Sequence, residues 1–486
     1  MGDGSGSWKH RPASLAYFAI FNPSFSKSED SANDQICLFY PSTVPADERA
    51  RQVGLATALV NFTKTFSPAP CDAVHTRKHR VILHEVEPGY WMLLKVRLGT
   101  RTTVRAGHKV VEHLEDGLQD SILRSVLLRA WEAFKLFHRG IDCILRRHSM
   151  DVLRKILEEF YSGFLPRINF GSLDLLDAFD GIQFASLSKA SYLQVLSLMR
   201  ALTATFPMLK HPILFWHDHL VWNGLESFDA LKPLHSYITD PETGRVYDGV
   251  VNQVKRKGEP IIATRRVSLQ SVRQSRSFLK SPRRGAKFSG YLVGPVTIGS
   301  LDVELKKIYL GPEGIEHNLI VYQVEEECTL VVPVPASEPP DQHSAEFYAR
   351  LSAFLDERLT TLAPLLADGY ASAKNLGEFA DQHFRYLYYN SMNLAFKTSI
   401  GSYKSTVLTP DLVQCLNRMH DEFARGEYGT AANEICVKTA STDAWVVGRR
   451  SGDRELYLVF PKSDVGLVDI DDEVKKFTLG YFSDIL

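Results

Sequence analysis

The chain has 486 residues, of which 44% are hydrophobic, 11% aromatic and 23% charged. At about 150 residues per domain, this length predicts roughly three domains, each able to bury a core of its own. Its 56 Lys and Arg residues against 57 Asp and Glu residues leave a net charge of −1, which argues against a general nucleic-acid-binding protein. The composition also excludes collagen, coiled-coil arrays and a wholly disordered chain.

The cysteines and the hydropathy pattern indicate a cytosolic protein. Six widely spaced cysteines form neither a CxxC nor a metal-finger pattern, so reduced thiols are expected. No run of 18 uncharged apolar residues is present, and the apolar segment 13–22 is better interpreted as a first strand than as a signal peptide. Any contact with a membrane is therefore expected to be peripheral.

A first block, residues 12–188, is predicted to form one antiparallel sheet with helices packed on it. Apolar periodicity predicts strands at 15–21, 35–40, 80–86 and 90–98 and helices at 47–65, 118–137 and 151–161. The first helix carries an apolar stripe at helical spacing, with Phe62 near one edge; its positions are Val53, Ala56, Leu59, Val60 and Phe66. A glycine just after the second helix, Gly140, is predicted as its C-cap.

Two further blocks, residues 190–378 and 380–486, follow the same plan. In the second block, helices are predicted at 192–206, 228–238 and 345–362, and strands at 213–216, 220–222, 291–293, 303–310, 315–323 and 328–334. In the third block, a helix is predicted at 411–425, and strands at 384–389, 393–397, 434–438, 445–448 and 455–460. The order strand–strand–helix–strand–strand recurs three times, which predicts an α+β protein of three similar domains.

A basic segment, residues 254–288, interrupts the second block and is predicted to be a disordered insertion. Its 11 basic residues face one acid, a net of +10, so the remainder of the chain carries −11. The basic residues are Lys255, Arg256, Lys257, Arg265, Arg266, Arg273, Arg276, Lys280, Arg283, Arg284 and Lys287. This charge predicts binding to an anionic, phosphoinositide-bearing membrane. Nucleic acid is disfavoured as the partner because interleaved aromatic residues are lacking. Ser268 and Ser281 match phosphorylation patterns, and phosphate there would weaken the attraction to lipid.

Motifs for covalent chemistry are missing from the sequence. We find no phosphate-binding loop, dinucleotide fingerprint or nucleophile elbow. His217, Asp218 and His219 include metal-ligand types, but they fall at a predicted hairpin tip with no third ligand nearby, so neither a metal nor a cofactor is expected. The sequence therefore indicates a protein that acts by binding rather than by making or breaking bonds.

Three segments carry a resemblance to a known family: residues 17–25 (YFAIFNPSF), 36–41 (ICLFYP) and 52–63 (QVGLATALVNFT). They resemble the vacuolar fusion proteins named for calcium–caffeine–zinc sensitivity, whose members contain three longin domains. A longin domain is a five-stranded antiparallel sheet with one helix on one face and two on the other. The resemblance is specific over about residues 15–100 and rests on length and element order beyond them. It implies an α+β fold of three longin-like domains.

The resemblance also implies a function, partners and a location. It implies non-covalent guanine-nucleotide exchange on a late-endosomal and vacuolar Rab GTPase, performed by an obligate heterodimer with a second three-longin protein, the monensin-sensitivity partner. The implied processes are endosome-to-vacuole (lysosome) traffic, vacuole fusion and autophagy. The implied location is cytosolic, with peripheral recruitment to late endosomes, multivesicular bodies and the vacuole membrane. A longin-type adaptor or tether that binds a GTPase without releasing its nucleotide shares every sequence feature found and stays the alternative.

Five residues of the first block are candidates for the Rab or partner interface. Gly54 lies inside a helix, where it costs about 1 kcal/mol relative to Ala, which predicts close packing against the chain's own sheet or a partner. Trp91 shares a strand face with Lys95, so Trp91 is predicted to meet a partner or to lie beneath a helix. Asn61 and Thr63 are polar positions beside the apolar stripe of the first helix.

Overall fold

Three large sheets organise the chain. The computed structural model describes residues 9–26, 33–66, 71–105, 108–114, 118–173, 175–179, 181–185, 187–228, 230–239, 290–293, 296–298, 302–304, 306–311, 313–324, 327–337, 345–380, 385–399, 410–425, 433–439, 443–460 and 466–481. The predicted α+β class, with antiparallel sheets flanked by helices, is confirmed.

The first sheet has the strand order β3-β2-β6-β5-β4, with one helix on one face and two on the other. A separate three-stranded sheet, β1-β7-β8, was not predicted. The elements of this part are β1 (Lys9–Arg11), β2 (Ser14–Phe21), β3 (Ile36–Tyr40), α1 (Ala46–Lys64), β4 (Ala73–His75), β5 (His79–Glu87), β6 (Tyr90–Arg97), β7 (Thr100–Arg105), β8 (His108–His113), α2 (Asp120–His138), α3 (Ile141–Leu145) and α4 (Met150–Phe164). Two short elements follow, α5 (Leu175–Phe179) and β9 (Ile182–Gln183), and these join the third sheet.

The second sheet repeats the order of the first as β11-β10-β17-β16-β12, with β15 also paired to β16. Its elements are α6 (Lys189–Thr205), β10 (Ile213–Trp216), β11 (His219–Asn223), α7 (Leu231–Thr239), β12 (Gly290–Val293), β13 (Val296–Ile298), β14 (Asp302–Glu304), β15 (Lys306–Leu310), β16 (Ile315–Val324), β17 (Cys328–Pro335) and α8 (Ala345–Ala380). The single strand predicted at 303–310 is two strands, β14 and β15. The helix predicted to end at residue 362 continues through Pro364 to Ala380.

The third sheet has the order β20-β21-β22-β18-β19-β9. Its elements are β18 (Arg385–Asn390), β19 (Ala395–Thr398), α9 (Pro410–Arg425), β20 (Glu434–Lys438), β21 (Trp445–Ser451), β22 (Arg454–Phe460) and α10 (Leu467–Tyr481). The last helix, α10, was not predicted. Its apolar stripe is buried against the sheet and consists of Ile470, Val474 and Phe477.

These sheets belong to two compact units. One unit comprises Met1–Leu173 and Leu187–Asp368 with the first and second sheets, and the other comprises Asp174–Ser186 and Gly369–Leu486 with the third. The predicted limits of three domains, 12–188, 190–378 and 380–486, stay a prediction. The residues between 174 and 186, which were predicted to lie in the first domain, group with the third sheet instead.

The C-cap predicted for α2 is one residue off. The helix ends at His138, and Arg139 rather than Gly140 adopts the positive backbone angle, φ 74°. Glycine normally takes this position because it has no Cβ to clash.

Candidate protein interface

The inner face of α1 packs on the first sheet, and this anchors the candidate site. Val53, Ala56 and Val60 are buried against Trp91 and Leu93 of β6. Their spacing of three and four residues places them on one side of the helix. Three of the five positions of the predicted apolar stripe, Val53, Ala56 and Val60, are thus buried in the core. The opposite side of α1 therefore faces outward.

The outer face of α1 is also apolar, and it is exposed. Leu55 is 57% exposed, Phe62 64% and Phe66 77%, with Ala58 exposed between them. The Phe62 and Phe66 rings lie 4.9 Å apart, centroid to centroid. Apolar residues at this spacing, standing out of an otherwise packed domain, are typical of helix faces that bind another protein, so this face is the candidate interface. We call Leu55, Ala58, Phe62 and Phe66 the α1 outer face.

Phe66 belongs to the predicted apolar stripe of the first helix, but it does not join the core residues of that stripe. The residue lies just past the last helical residue, Lys64, and its ring contacts Phe62 rather than the core. Helical spacing alone does not separate two apolar stripes on one helix, because both repeat every three to four residues. The signal in the sequence was therefore the presence of large apolar residues, Leu55 and Phe62, outside the stripe that packs on the sheet.

Gly54 has open space around it. A Cβ built there meets no heavy atom within 4 Å, so the prediction that Gly54 packs closely on its own sheet is wrong. The residue is partly exposed beside Leu55 at the margin of the α1 outer face. If the missing side chain of Gly54 serves to allow close packing, the group that packs there must belong to another molecule.

Trp91 is only 4% exposed. Of the two predicted alternatives, exposure to a partner is therefore wrong, and burial beneath a helix is confirmed. Its ring lies beneath α1 in the same core as Leu93. Successive side chains of a strand alternate between faces, and α1 covers the face that carries Trp91. Residues 91, 93 and 95 point towards this helix and not towards solvent.

A cleft of about 220 Å³ opens where α1 meets the end of the first sheet. It brings together two predicted residues, Asn61 and Trp91. Its lining is Phe21, Asn22, Pro23, Ser24, Thr57, Val60, Asn61, Glu85, Gly89 and Trp91. Asn22 is buried and accepts hydrogen bonds from the Ser24 backbone N–H (3.0 Å) and hydroxyl (2.7 Å), which fixes this wall. Within the described part of the chain, the buried hydroxyl of Thr57 has no hydrogen-bond partner.

Lys95 lies on the other flank of α1, in a polar network. Its Nζ donates to Gln52 Oε1 (3.3 Å) and lies 4.9 Å from the ring centroid of Tyr17, whose hydroxyl donates to the same Gln52 oxygen (2.7 Å). Burial lowers the pKa of Lys95, and nearby Glu48 acts in the opposite direction. Burial, then the charge of Glu48, raises the pKa of Tyr17. Lys95 therefore binds α1 through Gln52 from the side of the sheet, and its charge is not freely exposed to solvent.

Thr63 is bound within its own helix. Its hydroxyl donates to the backbone carbonyls of Leu59 (3.0 Å) and Val60 (3.1 Å), which is the usual arrangement for threonine inside a helix. Of the five predicted interface residues, only Asn61 is exposed in the structure. Gly54, Thr63 and Lys95 are half-buried, and Trp91 is in the core.

The other predicted site lies outside the described residues. This holds for the basic insertion at 254–288, including Ser268 and Ser281. Over the part of the chain that the structure describes, no helix is long and apolar enough to cross a membrane. Nor do the described residues contain a group of three or more His, Cys, Asp or Glu side chains placed to hold a metal ion.

Two family models match the chain at its ends. The model described as the first longin domain of INTU, CCZ1 and HPS4 matches residues 15–139, and the one described as Intu longin-like domain 3 matches residues 380–477. The first match contains α1, its outer face and the cleft. Together with the strand orders, these matches confirm longin domains.

Relatives align over nearly the whole chain. A vacuolar fusion protein CCZ1 homolog from Xenopus laevis is 30% identical over 492 residues, covering 99% of this chain and 98% of that protein. The homolog from Nematostella vectensis is 29% identical, with 97% of each chain covered. The homolog from Dictyostelium discoideum is 28% identical, covering 96% of this chain and 97% of that protein.

Proposed function

The chain belongs to the CCZ1 family of vacuolar fusion proteins, and from this premise we propose that it is one subunit of a heterodimeric guanine-nucleotide exchange factor. The family consists of trafficking proteins built from longin domains rather than conventional enzymes. The proposed partner is the monensin-sensitivity three-longin protein, and the proposed substrate is the late-endosomal and vacuolar Rab GTPase. The proposed processes are endosome-to-vacuole traffic, vacuole fusion and autophagy.

One observation carries the proposal: the α1 outer face is apolar and exposed. Leu55, Phe62 and Phe66 are all more than half exposed. Aromatic side chains supply most of the energy at protein interfaces, because they exclude much water at a small entropic cost. An amphipathic helix that turns a second apolar face outward has the chemistry of a helix packed between its own sheet and a partner.

Exchange requires preferential binding and no bond chemistry. A protein that binds the nucleotide-free GTPase more tightly than the nucleotide-bound form shifts the equilibrium towards release, whereas equal affinity shifts nothing. The composite surface of this chain and its partner would favour a switch conformation that no longer holds Mg²⁺ and phosphate. The cleft beside Asn61 and Thr57 lies next to the α1 outer face and offers polar groups to such a contact.

Release of a fluorescent guanine nucleotide tests this function. The late-endosomal Rab would be loaded and mixed with this chain alone, with the partner alone and with both. We expect accelerated release only with both proteins, and none from a Rab of another compartment. Binding of the loaded Rab without accelerated release would contradict exchange and support the adaptor or tether instead.

We further propose that the insertion at 254–288 recruits the protein to anionic membranes. Each Lys or Arg close to an anionic surface contributes roughly 1 kcal/mol, so four or five engaged residues suffice for recruitment. Deletion of 255–287 should abolish sedimentation of the protein with phosphoinositide-containing liposomes. Neither the unaltered chain nor the deletion variant should sediment with neutral liposomes. Undiminished sedimentation of the deletion variant would contradict this role. Phosphate-mimicking substitutions at Ser268 and Ser281 should partially weaken binding to the same liposomes.

A further inference from the structure

The third sheet carries one strand more than the order of the first sheet requires. Without β9, its order β20-β21-β22-β18-β19 corresponds to β4-β5-β6-β2-β3. β9 adds to the edge of β19, and it runs parallel, whereas the other pairings of this sheet are antiparallel. The longin arrangement is complete before β9 joins it. Addition of a short strand to an existing edge is how many domains bind peptides.

Phe179 provides the side-chain contact of this added segment. Its ring stacks on Tyr389 at 4.4 Å and meets the His420 ring edge-to-face at 4.8 Å, with Tyr457 at 6.0 Å. The ring is almost fully buried, as are Leu175 and Ile182 from the same segment. We call Tyr389, His420 and Tyr457 the aromatic slot.

The floor of the slot is built from polar groups that satisfy each other. His420 Nδ1 lies 2.9 Å from Glu455 Oε2, and the Tyr457 hydroxyl donates to the same oxygen at 2.5 Å. These bonds fix the His420 and Tyr457 rings through Glu455, which lies outside the segment. The slot is therefore formed by the third sheet and α9, and Phe179 fills it.

The backbone of the segment is held closely against β19. The Ile182 N–H donates to the Leu394 carbonyl at 2.9 Å, and Leu394 has φ 59°, an angle that leucine rarely adopts. A Cβ on Gly181 would lie 2.6 Å from Cβ of Phe396, so only glycine fits. The segment thus presents an aromatic residue, a glycine two positions later and an aliphatic residue directly after it.

We propose that the edge of β19 and the aromatic slot form a peptide-binding site, which the chain fills with its own residues 174–186. This segment lies about 200 positions before β19 in sequence and groups with the third sheet in the structure. Tethering raises the local concentration of the segment, so a short strand with two anchoring side chains suffices to keep the site filled.

A labelled peptide with the sequence of residues 174–186 tests the proposal on the full-length chain. In the variant Phe179→Ala/Ile182→Ala, the internal segment loses both anchors, so the site becomes available. We expect the peptide to bind this variant at least about tenfold more tightly than the unaltered chain, where the tethered segment competes. A peptide carrying Phe179→Ala should not bind.

The control variant is Phe184→Ala, which changes an exposed phenylalanine of the same segment. It should bind the peptide no better than the unaltered chain. If the double variant unfolds its third domain, the peptide should raise the melting temperature of the variant and leave that of the unaltered chain unchanged. A folded double variant that binds no peptide, or an unfolded one that the peptide does not restore, would overturn the proposal.

Discussion

The rings of Phe62 and Phe66 lie 4.9 Å apart on the outward side of α1, where neither ring reaches the hydrophobic core. Residues four positions apart are neighbours on a helix, so each ring restricts the motion of the other. This pair presents a continuous apolar surface to a partner. Less entropy is then lost on binding than if the side chains moved freely.

Phe62→Ser should weaken partner binding without weakening the fold. Because the Phe62 side chain is mostly exposed, the free energy of unfolding should change by no more than about 0.5 kcal/mol. Affinity for the longin partner or the Rab should fall at least about tenfold, or 1.4 kcal/mol. Titration calorimetry and urea unfolding measure the two quantities. Met392→Ser, at an exposed methionine of the third domain, is the matched control and should leave affinity unchanged.

Gly54→Ala should stabilise the free chain. A methyl group at this position meets open space, so the gain in helix propensity of about 1 kcal/mol is not offset by a clash. Urea unfolding of the isolated protein measures this gain in the free energy of unfolding. If Gly54 allows close approach of a partner, a bulkier Gly54→Leu variant should fold normally and bind the partner less tightly. A loss of stability in Gly54→Ala would show that the position is not open.

Trp91→Ala should destabilise the first domain by about 3–5 kcal/mol, because the ring fills the core between α1 and β6. Thermal unfolding measures the change, and Trp91→Phe should cost markedly less because it leaves a smaller cavity. A reduced exchange rate in Trp91→Ala would then follow from lost structure and not from a lost contact. An unchanged melting temperature would contradict the burial of Trp91.

The sequence was sufficient for most elements of the fold and for few details of the interface. Alternation in β6 predicted which residues share a face, but not that α1 covers the face of Trp91. Helical spacing predicted α1, but it grouped the exposed Phe66 with the buried Val53 and Val60, because two apolar stripes overlap on one helix. The pairing of Ile182 with Ala395 could not be predicted, since a two-residue strand has no periodicity and its partner is distant in sequence.

Arg139 should respond differently to glycine and alanine. Its guanidinium pairs with Glu316 at 2.7 Å and lies 4.2 Å from the Tyr309 ring centroid, linking α2 to β15 and β16, while its backbone has φ 74°. Arg139→Ala loses the contacts and keeps the strain, whereas Arg139→Gly loses both. We expect urea unfolding to show Arg139→Gly as the more stable variant by about 1 kcal/mol.

The control for Arg139 uses the same acceptor. Lys307 also pairs with Glu316, at 2.8 Å, but it is largely exposed, so Lys307→Ala should change stability by less than about 1 kcal/mol. If Arg139→Ala were no more damaging than Lys307→Ala, the half-buried Arg139 would not be what stabilises this contact.

His138 should make the protein less stable in mild acid. Burial, with a smaller contribution from Lys306, lowers the pKa of this imidazole to about 4, from an ordinary value of 6.5. The unfolded chain therefore binds a proton at a higher pH than the folded chain does, and stability falls as the pH drops from about 6.5 towards 4. Between pH 7 and pH 5 the loss from this group should be about 2 kcal/mol. His138→Phe, which keeps a ring between Phe134 and Phe160, should flatten this part of the stability–pH curve measured by urea unfolding. A variant as sensitive to acid as the unaltered chain would show that other groups cause the loss.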